Sequence, residues 1–238
     1  MLADLKSRLV ETYHRRQLTE TAQAVREARL TYLSPPKLRN LERYLEQIEV
    51  DGIEGDCVEF GVALGGSAIL ISKLMGPDRS FTGFDLFGTI PPPSARDAEE
   101  SHARYEVIAS GQSAGIGGDR YYGYEDNLHD KVKGHFRAFG LAADGPHVEL
   151  VKGLFADTVS FDAKKKIAFA HIDCDWYDPV ELCLEKTYER LSPGGVVILD
   201  DYNDYGGCRV ATEAFLQRHG DMQLVDDSYN AVLLRDVS

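Results

Sequence analysis

The sequence predicts a doubly wound α/β protein: a mostly parallel, seven-stranded sheet with helices on both faces, an antiparallel hairpin at the C-terminal end and a helical cap at the N-terminal end. Three observations predict it. From Asp56 onward, apolar runs of strand length alternate with longer stretches of helical spacing, the pattern of a parallel sheet covered on both sides. The first apolar run ends in a glycine-rich turn that enters a helix, and two later runs end in clustered acids, so chemistry-bearing residues gather at strand ends. The last two strand candidates, 222–225 and 231–234, are separated by so short a segment that they read as a hairpin.

The cap comes first, over residues 1–50. Leu2, Leu5, Leu9, Val10 and Tyr13, then Leu18, Val25 and Leu30, recur at helical spacing, and a second helix follows Pro35 and Pro36 through Leu38, Leu41, Tyr44 and Leu45. Its apolar face serves either core packing or an oligomer contact such as a homodimer. Residues 51–238 form the main domain, with further strands at 57–60, 80–85, 147–151, 167–173 and 196–200, and helices at 65–75, 125–139, 179–191 and 207–219. One stretch, 88–124, breaks the rhythm with three prolines, a Gly/Ser-rich run and Tyr121, Tyr122 and Tyr124. A connection this long in a compact domain is usually functional or disordered. Its place after the second strand sets it over the carboxyl edge of the sheet, so a mobile lid whose tyrosines help enclose a substrate is expected.

Composition narrows the function. A net charge of −13 argues against nucleic acid, whose binding draws on Lys and Arg. Lys164, Lys165 and Lys166 fall between two strand candidates and read as a solvated turn. No apolar run is long enough to span a membrane, and charged residues recur through 1–29 where a signal peptide would be apolar, so a cytoplasmic protein is expected. Cys57, Cys174, Cys183 and Cys208 are scattered without metal-binding or disulfide spacing, and Cys57 reads as a small core residue.

The glycine turn carries the first chemical signal. Glu59, Gly61, Gly65, Gly66 and Ser67 lie across the end of the first strand and the start of the next helix. Glycines there let a backbone approach a ligand closely, and several nucleotide-binding chemistries share the device. Two details favour S-adenosylmethionine over NAD. Ala63 stands where close approach to a pyrophosphate needs glycine, and Glu59 suits the cationic methionine end while it would repel a diphosphate. Asp85, followed by Leu86 at the end of the second strand, lies 85 − 61 = 24 positions after the first glycine, a spacing suited to the ribose hydroxyls; a turn cap is its structural alternative.

The second signal is acidic. Asp173, Asp175 and Asp178 follow the fourth strand, and Asp200 and Asp201 follow the fifth, so Asp173, Asp200 and Asp201 converge if those strands are neighbours. Converging carboxylates cannot all stay ionised without compensation, and oxygen-only ligands select a hard cation such as Mg²⁺. Asp178 reads as the N-cap before Pro179, Asp175 as a supporting or surface acid, and His171 as a satisfied core histidine.

Together, the segments around Glu59–Gly66, Asp85–Phe87, Asp173–Tyr177 and Gly194–Tyr202, with the spacing 200 − 173 = 27, resemble the macrocin O-methyltransferase family, enzymes that methylate sugar hydroxyls on macrolides and related natural products. The resemblance spans roughly 30–235 and includes the Gly153–Thr158 segment, with Phe155, similar to the family's segment near the adenine. It implies a Rossmann-like class I methyltransferase fold, Mg²⁺ held by Asp173, Asp200 and Asp201, and Asp173 as general base. Phe87-Gly88-Thr89 replaces the family's more usual acid and glycine, and the lid is longer. The expected reaction is O-methylation of a small hydroxylated acceptor. The alternatives are a catechol-type phenol methyltransferase and, from another class, an NAD-dependent oxidoreductase.

Overall fold

The computed structural model of the chain describes residues 10–237; Leu2, Leu5 and Leu9 lie outside the described residues. After helical residues 10–15, α1 (Glu20–Glu27) begins on Thr19, whose Oγ1 accepts a bond from the Ala22 N–H at 3.2 Å. The Thr19 N–H and hydroxyl in turn donate to the buried Glu42 carboxylate of α2 (Pro35–Val50) at 2.9 and 2.7 Å. Pro35 and Pro36 open α2, where the N–H groups they lack have no helical partner to lose. Leu38, Leu41, Leu45 and Ile48 are fully or almost fully buried, each worth about 1.5–3 kcal/mol of burial, so the cap packs into the main core.

Strands β1 (Asp56–Phe60), β2 (Phe81–Asp85), β4 (Val148–Lys152), β5 (Ile167–Ile172) and β6 (Leu191–Leu199) run parallel. The hairpin of β7 (Met222–Asp226) and β8 (Ala231–Arg235) closes the sheet, with β8 antiparallel to β6. An eighth strand, β3 (Asp144–Gly145), extends the expected seven; two residues turned back on β4 are too few to carry a periodicity. The order is β3-β4-β2-β1-β5-β6-β8-β7, so the progression of strands switches sides between β1 and β5 and opens a crevice at their carboxyl ends.

Helices α3 (Gly66–Leu74) and α5 (Leu128–Ala138) join α1 and α2 on one face, against Cys57, Phe81, Phe169 and Ile198. On the other, the one-turn α6 (Phe155–Thr158), α7 (Tyr177–Tyr188) and α8 (Gly206–Arg218) pack on the core of Val58, Phe60, Ala170 and Ile172. Alternate residues of β1 and β5 thus serve opposite cores, which is why these strands read as continuous apolar runs. All four cysteines are free and buried, and the lysine turn is confirmed, with Lys165 paired to Asp56 at 3.0 Å and Lys166 to Glu54. Among the described residues, no helix is long and apolar enough to cross a membrane.

Three elements depart from expectation. β6 begins at Leu191, ahead of residue 196, because Gly194, at φ 78°, lets the strand continue through a register shift where Pro193-Gly194-Gly195 reads as a turn. The 88–124 stretch contains a helix, α4 (Glu99–Ala109), whose sequence hides it: only Ser101 and Ile108 are buried, leaving no apolar stripe to read. The expected cap of α7 is also replaced. The helix starts at Tyr177, so Asp178 lies inside its first turn and pairs with Arg96 at 2.6 Å. The capping carboxylate comes from the insertion instead, Asp97 Oδ1 accepting the Tyr177 N–H at 2.7 Å. An Asp97→Ala variant is expected to lose about 1–2 kcal/mol in denaturant unfolding and to raise amide exchange at Tyr177.

Candidate active site

The ends of β1 and β5 touch. Gly61 sits at φ 92°, and a Cβ there would lie 1.8 Å from the Asp173 carbonyl oxygen, so no side chain fits. The Gly61 N–H donates to Phe84 O at 2.9 Å and the Asp173 N–H to Phe60 O at 2.8 Å, stitching the turn to β2 and β5. Asp85 holds the turn from below: Oδ2 accepts the N–H groups of Val62 and Ala63 at 2.7 and 2.9 Å, and Oδ1 accepts that of Phe87. Burial raises the Asp85 pKa while these three bonds oppose the rise. A carboxylate offers about four acceptor positions, and the turn-cap role occupies three of them.

A cavity of about 310 Å³ opens at these strand ends, lined by Gly61, Asp85, Leu86, Phe155 and Asp173 among the anticipated residues. Glu59, Gly65 and Ser67 do not line it. Gly65, at φ 91°, leads into α3 and faces Val132 and Phe136 of α5, while Ser67 is buried in the first turn of α3. Glu59 is fully buried, its Oε1 2.7 Å from His171 Nδ1 across the β1–β5 pairing; Glu59 Oε2 and His171 Nε2 have no partner among the described residues. Asp175 also lines the wall, with Pro91 and Pro92 of the insertion expected over this edge. Trp176 joins them, its Nε1 donating to Pro91 O at 3.0 Å and tying the insertion to the cavity floor.

Of the three insertion tyrosines, Tyr122 reaches this cavity. Tyr121 and Tyr124 border a separate, wider hollow of about 860 Å³, and the Tyr124 hydroxyl donates to Ile108 O at 2.6 Å. Of the clustered acids, Asp173 and Asp175 line the smaller cavity, and none of them lines the wider hollow.

Asp173, Asp200 and Asp201 each offer a carboxylate oxygen, all within 4.8 Å of one another. Asp200 and Asp201 occupy the short 3₁₀ turn after β6 and are 7% and 6% exposed. Burial first, then the mutual repulsion of the acids, raises the pKa of Asp173 and Asp201 well above the carboxylate range. Asp175, in a left-handed conformation at φ 57°, is pushed up to about 7 by burial and Asp200, against the pull of Arg104 and Lys37. Its N–H donates to Asp201 Oδ2 at 3.0 Å. Lys37, from α2, reaches the same point: Nζ donates to Asp200 Oδ2 at 2.9 Å, Asp200 O at 3.0 Å and Asp204 Oδ2 at 2.6 Å. Burial alone would lower the Lys37 pKa, but the two aspartates outweigh it and raise it. Nothing in the sequence around Lys37 signals this contact.

A doubly wound sheet with a reversed C-terminal hairpin, a glycine turn at the β1–β5 crevice and Asp173 facing it have the architecture of a Rossmann-like methyltransferase. The chain belongs to the macrocin O-methyltransferase (TylF) family, whose profile matches residues 5–230. It is 30% identical to 8-demethyl-8-(2,3-dimethoxy-alpha-L-rhamnosyl)-tetracenomycin-C 4'-O-methyltransferase of Streptomyces olivaceus, over 80% of this chain and 69% of the relative. It is 29% identical to mycinamicin III 3''-O-methyltransferase of Micromonospora griseorubida, over 80% of this chain and 71% of that one. The O-methyltransferase NovP shares the fold with a TM-score of 0.71 at 24% identity, covering 87% of this chain and 82% of that chain. TomG of Streptomyces achromogenes, solved with S-adenosylmethionine, shares the fold at a TM-score of 0.58 and 14% identity, over 96% of each chain. The enzyme is thus an O-methyltransferase, and the oxidoreductase alternative falls away.

Two neighbouring substitutions should behave oppositely. Gly61→Ala is expected to cost at least about 3 kcal/mol, from the left-handed backbone and the overlap with Asp173. Ala63, already left-handed at φ 47°, should tolerate glycine with a change of no more than about 1 kcal/mol. Thermal unfolding of both variants checks the pair.

Proposed function

We propose that this enzyme methylates a hydroxyl of a sugar-bearing natural product or a related small hydroxylated metabolite, using a divalent cation, Mg²⁺ foremost, held by Asp173, Asp200 and Asp201. The observation that carries the cation is the set of three converging carboxylate oxygens, with Asp200 Oδ1 buried and unpartnered among the described residues. A donor set of oxygens alone, too crowded with charge to persist uncompensated, fits a hard cation. The acceptor class is supported by the relatives named for a rhamnosyl tetracenomycin and for mycinamicin III. Trp176 and Tyr122 on the cavity wall favour one second reading, a catechol-type phenol as acceptor.

When bound, S-adenosylmethionine supplies an electrophilic methyl carbon and the cation supplies a Lewis acid and template for the acceptor oxygens. Leu86 and Phe155 offer apolar surface for the adenine and Asp85 an acceptor for the ribose. Asp173, on the cavity wall and at the head of the acid cluster, takes the proton of the attacking hydroxyl, the role the family resemblance implies. Displacement at a methyl carbon needs little covalent help, so alignment supplies most of the acceleration, up to about 7–11 kcal/mol.

Calorimetric titration of S-adenosylmethionine, with and without Mg²⁺, tests the reading. Wild type is expected to bind both, and the Asp200→Ala/Asp201→Ala double variant to keep the cofactor and lose the cation; cation binding that survives in the double variant would sink the proposed ligand set. Asp173→Asn is expected to lose cation binding and to lower turnover by about 10²–10⁴. Asp175→Asn should retain the cation, and an equal loss of turnover in that variant would move the base to Asp175. Rates on simple catechols against glycosylated acceptors decide between the two acceptor classes.

A further inference from the structure

The position of Lys37 is not explained by its own helix. It is the third residue of α2, in the first turn, where the helix dipole disfavours a cation and no acidic residue is present to offset it. Its side chain is only 14% exposed, and the three donors of its ammonium are all committed, two to Asp200 and one to Asp204. A residue that breaks a local rule and is fully satisfied by distant partners is serving those partners.

What it does to Asp200 is specific. One carboxylate oxygen, Oδ2, is taken by the ammonium; the other, Oδ1, is buried and has no partner among the described residues. Asp201 is treated in the same way, its Oδ2 held by the Asp175 N–H. Each of the paired acids therefore has one oxygen fixed by a protein donor. We propose that Lys37 is a positioning residue that restricts Asp200 to ligation through a single oxygen, so that the N-terminal cap helix sets which divalent cation the site accepts. This rests on the reading of Asp173, Asp200 and Asp201 as the cation ligands. Single-oxygen ligands suit the small octahedral Mg²⁺, which keeps several waters, whereas Ca²⁺ takes more ligands and readily accepts a bidentate carboxylate. Without Lys37, Asp200 is free to turn both oxygens to the cation, and the preference shifts towards Ca²⁺.

The test is calorimetric titration of the full chain with MgCl₂ and with CaCl₂, on wild type, Lys37→Met and Asp204→Asn. Asp204 is 54% exposed and holds the same ammonium, so its amide weakens the restraint while all three ligand carboxylates stay in place. Lys37→Met is expected to raise the Ca²⁺/Mg²⁺ affinity ratio about tenfold, within the range seen when partners of metal ligands are removed, and Asp204→Asn to raise it by less. A purely structural lysine would weaken both cations alike. An unchanged ratio in Asp204→Asn together with an unchanged ratio, or a failure to fold, in Lys37→Met overturns the proposal while leaving the cation site standing. Absence of any divalent binding to wild type overturns the cation site and the role of Lys37 with it.

Discussion

The backbones of β1 and β5 meet where the strands end, with no room for a side chain between Gly61 and the Asp173 carbonyl. The rest of the site depends on that contact. It forces a left-handed residue after β1, which makes the chain turn, and Asp85 secures the turn by gathering the N–H groups of Val62, Ala63 and Phe87. It also sets Asp173 beside the crevice left by the reversal of strand order. The cavity and the place of the first acid of the cluster are in this way consequences of one close approach.

The acids raise a second constraint. Asp173, Asp175 and Asp201 lie with Asp200 in a desolvated place, and burial and the neighbouring acids raise the cost of ionising those three. The protein answers with donors from far along the chain, the ammonium of Lys37 on Asp200 and a backbone N–H on Asp201. The N-terminal helices therefore do more than cover apolar surface: one of them ends its first turn in the charge balance of the cluster.

Much of the fold was legible because burial on both faces makes β1 and β5 continuous apolar runs, and because the glycine turn and acid pairs punctuate strand ends. Convergence of Asp173, Asp200 and Asp201 followed from strand adjacency alone. What escaped reading involves partners distant in sequence or weak in pattern. Lys37 meets Asp200 across 163 positions and Asp97 caps Tyr177 across 80, and neither pairing leaves a local mark. α4 buries only Ser101 and Ile108, so its apolar residues form no stripe along one face. Glu59 was read as facing the cofactor, but alternation along β1 gives no way to see that His171 on the adjacent strand meets its carboxylate.

The insertion is joined to the domain unevenly. Its root is fastened to α7 and the cavity floor by Pro91 with Trp176, Asp97 with Tyr177, and Arg96 with Asp178 and Glu181. Its tip closes largely on itself, through Arg104 with Ser113 and Tyr124 with Ile108. Substitutions at the root disturb the helix that follows the acids, whereas Ser113 and Tyr124 at the tip border the separate wide hollow, and Arg104 is the tip residue whose charge reaches Asp175. A disturbance at the tip thus has no packed route into α7, whereas one at the root is passed straight to the segment that carries Asp173 and Asp175.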